Sequence, residues 1–203
     1  MNEECETSLA SLLSVVPRDD LLRLIARRGR VGVDAFLAAL HFDLDSAIER
    51  LEASAHRYQD DNEEKLTNFL SVQLAASGYD ATCETNARGH TDLKIENKSA
   101  QIVWIAKAKL HATHEENIEG MLQLLTRYTS GRHPHAGFLL YIRQPRASLI
   151  LEQWRAEVKS AQQLACTVVT DGACPSVFCL IMFIYLALRY AFATMVCFWH
   201  TSR

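Results

Sequence analysis

At 203 residues the chain has room for one ordinary domain and a small accessory module. About half of it is apolar (49%), which excludes wholesale disorder. A formal net charge of −3 excludes a global attraction to polyanions, so any nucleic-acid contact must use local basic residues such as Arg23, Arg27, Arg28 and Arg30.

Residues 1–57 read as a helical module. Leu21, Leu22, Leu24 and Ile25 form an apolar face ended by Gly29. A second helix runs from Val33 to His41 with Phe36, Leu37 and Leu40 inward. Asp43 or Asp45 is placed to cap a third, which holds Ala47, Ile48 and Leu51. Helix, glycine turn, helix and then a helix with a polar face is a helix-turn-helix-like order, and Arg30-Val31-Gly32-Val33 with Leu44–Leu51 looks like the middle of a winged helix. The presumed recognition helix carries Asp43, Asp45, Glu49 and Glu52 against Arg50. That is poor chemistry beside phosphates and better suited to a protein partner.

Residues 58–171 read as an α/β unit. After a polar stretch, a helix spans Glu63–Ser77 with Leu66, Phe69, Leu70 and Leu74 at helical spacing, and it stops at Gly78. Strands are expected at Asp80–Asn86, Asp92–Glu96 and Gln101–Lys109, with Asn97-Lys98-Ser99 turning between the last two. A helix Glu115–Thr129, an apolar strand Gly137–Ile142, a helix Ser148–Gln163 and a strand Cys166–Thr170 complete an αβββαβαβ order. That order implies a mixed sheet flanked by helices.

Residues 172–203 change character. Beyond Asp171 there is no acidic residue, and Val177–His200 is apolar except for Arg189. As a helix this run would extend ~36 Å, enough to span a ~30 Å hydrocarbon core. Its Val, Ile, Phe and Tyr content equally suits two buried strands closing the sheet, and its cysteines and lack of acids suit a frameshifted end. In the membrane reading, the folded part stays cytoplasmic, held at the cytosolic face by residues 177–200. The six cysteines form no CxxC pair and read as reduced thiols of a cytosolic chain.

The chemistry-bearing residues lie between Tyr79 and Arg143. Glu84 falls on the first strand, Gly89-His90-Thr91-Asp92-Leu93 opens the second, and Lys107-Ala108-Lys109 ends the third. The helix after them carries Gln123-Leu124-Leu125-Thr126-Arg127-Tyr128. This ordered set resembles the PD-(D/E)xK nuclease superfamily, the restriction-endonuclease-like fold, over about two fifths of the chain.

The resemblance implies DNA as partner, with RNA left open, and Mg²⁺-assisted phosphodiester hydrolysis if the chain is active. Asp92 and Glu84 match the metal-binding carboxylates, Lys109 the lysine that positions the nucleophile, and Gln123 the helix face behind the site. Lys107 and Lys94 are further candidates for contact with a phosphate backbone.

Lys107 departs from the pattern, standing where the family has the motif glutamate. A lysine cannot ligate Mg²⁺, and an ammonium ~4 Å away repels it. Cleavage is therefore expected to be impaired or lost unless Glu63, Glu64, Glu115 or Glu119 replaces the missing carboxylate from a helix. The alternative is a catalytically inert nucleic-acid-binding or protein-interaction module, recruiting a partner through its N-terminal helices and anchored at a membrane by its tail. His111, His114, His133 and His135 lack a zinc pattern, and Trp104 reads as core.

Overall fold

The computed structural model describes residues 14–83, 91–123, 135–144, 147, 149–150, 152–154, 156, 177–187 and 192–202, the last two stretches by backbone alone. It is a mixed α/β fold. Helices α1 (Arg18–Arg28), α2 (Val33–Ala53) and α3 (Glu63–Ala76) precede strands β1 (Asp80–Thr82), β2 (Leu93–Asn97) and β3 (Ile102–Leu110). Helix α4 (His114–Gln123) leads to β4 (His135–Ile142), followed by β5 (Val177–Ala187) and β6 (Phe192–Ser202).

The sheet order is β1-β2-β3-β4-β6-β5. The first three strands form an antiparallel meander, with Leu93 opposite Ala106 and Ile95 opposite Trp104. β4 then lies parallel to β3, a pairing that needs a crossover, and α4 supplies it. The four strands β1 to β4 and the helices between them follow the order read from hydropathy, with β2, β3 and β4 starting within two residues of expectation. The described residues between 147 and 156 are helical as well. The expected strand Cys166–Thr170 lies outside the described residues.

One expectation is corrected. The two helices read on either side of Phe42 are one continuous helix, α2, so no separate recognition helix starts near Asp43. The reason is chemical. Asp43 is buried, and its Oδ1 and Oδ2 accept from Arg27 Nη2 and Nε, both at 2.9 Å, while Tyr79 Oη donates to Oδ2 at 2.8 Å. A carboxylate tied to two tertiary partners is not available to cap a helix, and the stripe Phe36, Leu40, Leu44, Ala47, Ile48, Leu51 runs through the site unbroken.

From sequence the tail reads in three ways, as a membrane helix, as two buried strands or as a frameshifted end. Val177–Ala187 and Phe192–Ser202 form the two strands β5 and β6, with β6 antiparallel to β4 (Leu139 opposite Val196) and β5 on its far side. Among the described residues no helix is long and apolar enough to cross a membrane.

One hydrophobic cluster joins the helices to the sheet. Phe36, Leu40, Leu44, Ile48 and Leu51 of α2 and Leu66, Leu70 and Leu74 of α3 pack with Leu93, Ile95, Trp104, Leu139 and Tyr141. Trp104 is fully buried there, as its place in an apolar strand implies. Helix α3 closes on Gly78 at φ 103°, where the amides of Gly78 and Tyr79 return to the carbonyls of Ala75 and Leu74, and the chain is thereby turned to bury Tyr79. Asn97 seals the seam between α1 and the β2–β3 turn. Its Nδ2 donates to Ala26 O (3.1 Å) and Gly29 O (2.9 Å), and its Oδ1 accepts from Ala100 N at 3.0 Å.

Candidate functional site

Asp92 sits one residue ahead of β2, where its backbone N–H donates to Ala106 O at 2.9 Å. Antiparallel register therefore sets it beside Lys107, with both side chains on one face of the sheet. Lys107 Nζ donates to Asp92 Oδ1 at 2.8 Å, and the backbone N–H of Ala108 donates to Oδ2 at 2.6 Å. Both members of the pair are about four-fifths buried, at 16% and 21% side-chain exposure.

Lys109, two residues on, shares that face. Its aliphatic stem crosses α4 at Gly120: a Cβ there would lie 3.0 Å from Lys109 Cγ and 3.3 Å from Phe138 Cε2. A glycine in a helix interior costs about 1 kcal/mol against alanine. Its presence at this crossing gives the lysine stem a path between helix and strand.

The fourth charged group comes from α3. Asn62 caps that helix through its side chain, which accepts from Lys65 N at 3.0 Å, and Glu63 follows as the first helical residue. Its Oε2 accepts from Leu110 N at 2.9 Å, so the carboxylate reaches across to the end of β3. Thr67 Oγ1 donates to Glu63 O at 2.8 Å and pairs with Tyr141 Oη at 3.1 Å, which fixes the first turn of α3 on the sheet. Burial raises the Glu63 pKa above the usual carboxylate range. The Leu110 N–H and the charges of Lys109 and Lys107 pull it down, and Asp92 pushes it up. Glu63, Asp92, Lys107 and Lys109 thus share one electrostatic neighbourhood.

Cys83 lies at the edge of the same neighbourhood. Burial raises its thiol pKa, a Ser71 hydrogen bond opposes this, and the charges of Asp92 and Glu64 add to the rise.

Of the residues singled out from sequence, Asp92, Lys107 and Lys109 come together. Lys94 does not join them, because its ammonium pairs with Glu96 at 2.9 Å along the same strand. Glu84 and the side chain of Gln123 lie outside the described residues. Glu63 is the acid that motif matching left among four candidates. The available signal was its place directly after the capping asparagine of the helix that precedes the strands.

The basic residues of the first helix are mostly engaged in structure. Arg27 holds Asp43, Arg23 pairs with Asp20 and lies 4.0 Å over the Phe42 ring, and Arg28 Nε donates to Gly78 O. His111 faces Asn117, its Nδ1 2.5 Å from Nδ2, and His135 is buried at the start of β4.

A divalent cation needs open carboxylate oxygens. Asp92 has one oxygen on an ammonium and the other on a backbone N–H, and Glu63 spends one on Leu110. Among the described residues no group of three or more His, Cys, Asp or Glu is placed to hold a metal ion. Comparison with family models, with curated proteins and with solved structures returns no match.

Proposed function

We propose that the chain is a nuclease-derived protein of the restriction-endonuclease-like kind that engages nucleic-acid phosphate without cleaving it. The Lys107 ammonium supplies beside Asp92 the positive charge that a metal ion supplies in an active relative. The carrying observation is the 2.8 Å contact between Lys107 Nζ and Asp92 Oδ1, with Ala108 N–H on the other oxygen. The order of α3, three antiparallel strands, α4 and a parallel fourth strand supports the kinship.

A tethered cation neutralises the aspartate but activates no water, because an ammonium has no empty coordination position and donates only hydrogen bonds. The remaining positive charge, Lys109, is the group offered to a phosphate oxygen. Since the net charge is negative, binding depends on this local field and falls with salt.

The test uses the full chain. With Mg²⁺ or Mn²⁺ the native protein leaves supercoiled plasmid intact, and calorimetry with Mn²⁺ shows no site. Lys107→Glu frees Asp92, adds a second carboxylate and gains a Mn²⁺ site, which disappears in the Asp92→Ala/Lys107→Glu double variant. Lys109→Ala weakens duplex binding and lowers its salt slope by about 1. Robust nicking by the native chain that vanishes in Asp92→Ala overturns the proposal.

A second reading, a protein-interaction module, has its own observation. Leu22, Leu24 and Ile25 of α1 are all exposed, as is Phe42 of α2. Loss of duplex binding in no lysine variant, with retention of a protein partner through α1, would favour it.

A further inference from the structure

Helix α1 is amphipathic in the reverse sense. Ala26 is its buried residue, and the contacts that hold it to the rest of the fold are largely polar. Arg27 grips Asp43 through two hydrogen bonds of 2.9 Å, Asn97 Nδ2 donates to Ala26 O and Gly29 O, and the Arg23 guanidinium lies 4.0 Å over the Phe42 ring. Successive helical residues are turned by about 100°, so Arg23, Ala26 and Arg27 share one side of α1. The opposite side, a sector of about 120°, holds Arg18, Leu21, Leu24, Ile25 and Arg28. Leu24 is 56% exposed and Ile25 44%, and Arg18 and Arg28 are exposed with them. A surface helix ordinarily turns its aliphatic side to the core, and an open aliphatic stripe marks a docking surface.

The charges decide what fits that stripe. It has an arginine at each end, about 15 Å apart along the axis, and no acid, since Asp19 and Asp20 fall outside the sector. A second copy is a poor match through this helix. An antiparallel approach sets Arg18 beside Arg28, and a parallel one sets each arginine beside its own copy, so like charges meet in both directions. An anionic bilayer is broad enough to meet the exposed Asp19, Asp20 and Asp34 as well, and the net charge of −3 repels it. A single helix is narrow enough to meet the stripe alone.

We propose that the outer face of α1 docks an acidic amphipathic helix of a partner protein. Apolar residues of that helix lie against Leu21, Leu24 and Ile25, with one carboxylate at Arg18 and another at Arg28. The proposal rests on the protein-interaction reading and names its partner chemistry; the Asp92–Lys107 pair has no part in it. A contact of three helical turns is small, so the complex is weak and transient.

The test is fluorescence anisotropy of two labelled helical peptides with the full chain. Both carry the same leucine stripe, and they differ in having glutamate or lysine at its two ends. The glutamate peptide binds the native chain roughly tenfold more tightly than the lysine peptide, and added salt shrinks the difference. Arg18→Glu/Arg28→Glu reverses the preference. Leu24→Ala/Ile25→Ala weakens both peptides, and vesicles of anionic lipid do not bind the native chain.

Equal affinity of the native chain for the two peptides overturns the acidic partner while leaving α1 a docking surface. Binding of neither peptide overturns both. Vesicle binding that is lost in Leu24→Ala/Ile25→Ala makes the occupant a lipid surface and likewise overturns the proposal. Arg28 also donates to Gly78 O. Should its replacement prevent folding, Arg18→Glu alone takes the place of the double variant, because an acid in the first turn suits the helix N-terminus. A reduced preference for the glutamate peptide then supports the proposal, and an unchanged one overturns it.

Discussion

Glu63 illustrates a conflict between stability and charge at a single residue. The fold shifts its pKa upward, chiefly by burial, so the folded state favours the neutral acid more than the unfolded chain does. Such a group contributes stability that is fully present below its unfolded pKa and is lost as pH rises through the folded value. Glu63→Gln keeps an oxygen for the Leu110 N–H and removes the titration. The variant and the native chain should therefore melt together near pH 4 and diverge as pH rises toward 7, with the variant the more stable. A melting series across that range checks the sign, and a variant that is less stable at pH 7 would show that Lys107 and Lys109 outweigh burial.

The same residue marks how far sequence reasoning reached at this scale. Asp92, Lys107 and Lys109 were legible because strand alternation alone puts residues two apart on one face, and an antiparallel turn of known position sets which acid meets which lysine. Glu63 was visible only as one of several helix acids. Its arrival at Leu110 depends on the crossing of α3 over β3, a tertiary fact with no local period. Asp43 was misread for a related reason. As an acid ahead of an apolar run it has the local signature of a cap, but Arg27 and Tyr79, 16 and 36 residues away, decide its use.

At the scale of elements, the strands were the most legible part, because β2, β3 and β4 combine apolar runs with a clear turn or glycine at their ends. Their close packing was not legible. A Cβ at Gly137 would fall 2.3 Å from Trp104 Cζ2, so the indole packs directly against the glycine of the neighbouring strand. That ring is fully buried and has no room to rotate away. Gly137→Ala should therefore destabilise by about 3 kcal/mol through overpacking, although alanine is otherwise the better strand residue. Urea unfolding measures the loss, and the Trp104→Phe/Gly137→Ala pair should recover part of it through the smaller ring. Two additive losses would place the strain elsewhere. The tail was less legible still: an apolar run of that length fits one helix or two strands, and the choice between them rests on whether β4 has a free edge to offer.

For the whole molecule, the composition suggested an accessory helical module beside an α/β unit, but the packing joins them. Leu40, Leu44 and Ile48 of α2 are in the same cluster as Leu66, Leu70, Trp104 and Tyr141, and Asn97 and Asp43 lock α1 to both. Removing residues 1–57 would strip the sheet of one covering layer and expose fully buried side chains, so residues 58–203 alone should not unfold cooperatively. The full chain should melt in one calorimetric transition. Leu44→Ala, fully buried and distant in sequence from every site residue, should lower that transition as a whole by about 2–5 kcal/mol, carrying Glu63 and the Asp92–Lys107 pair with it. Two separable transitions, with only the first sensitive to Leu44→Ala, would mean that the helices are an independent module. In that case the charged cluster at the end of β3 owes its geometry to the sheet and α3 alone.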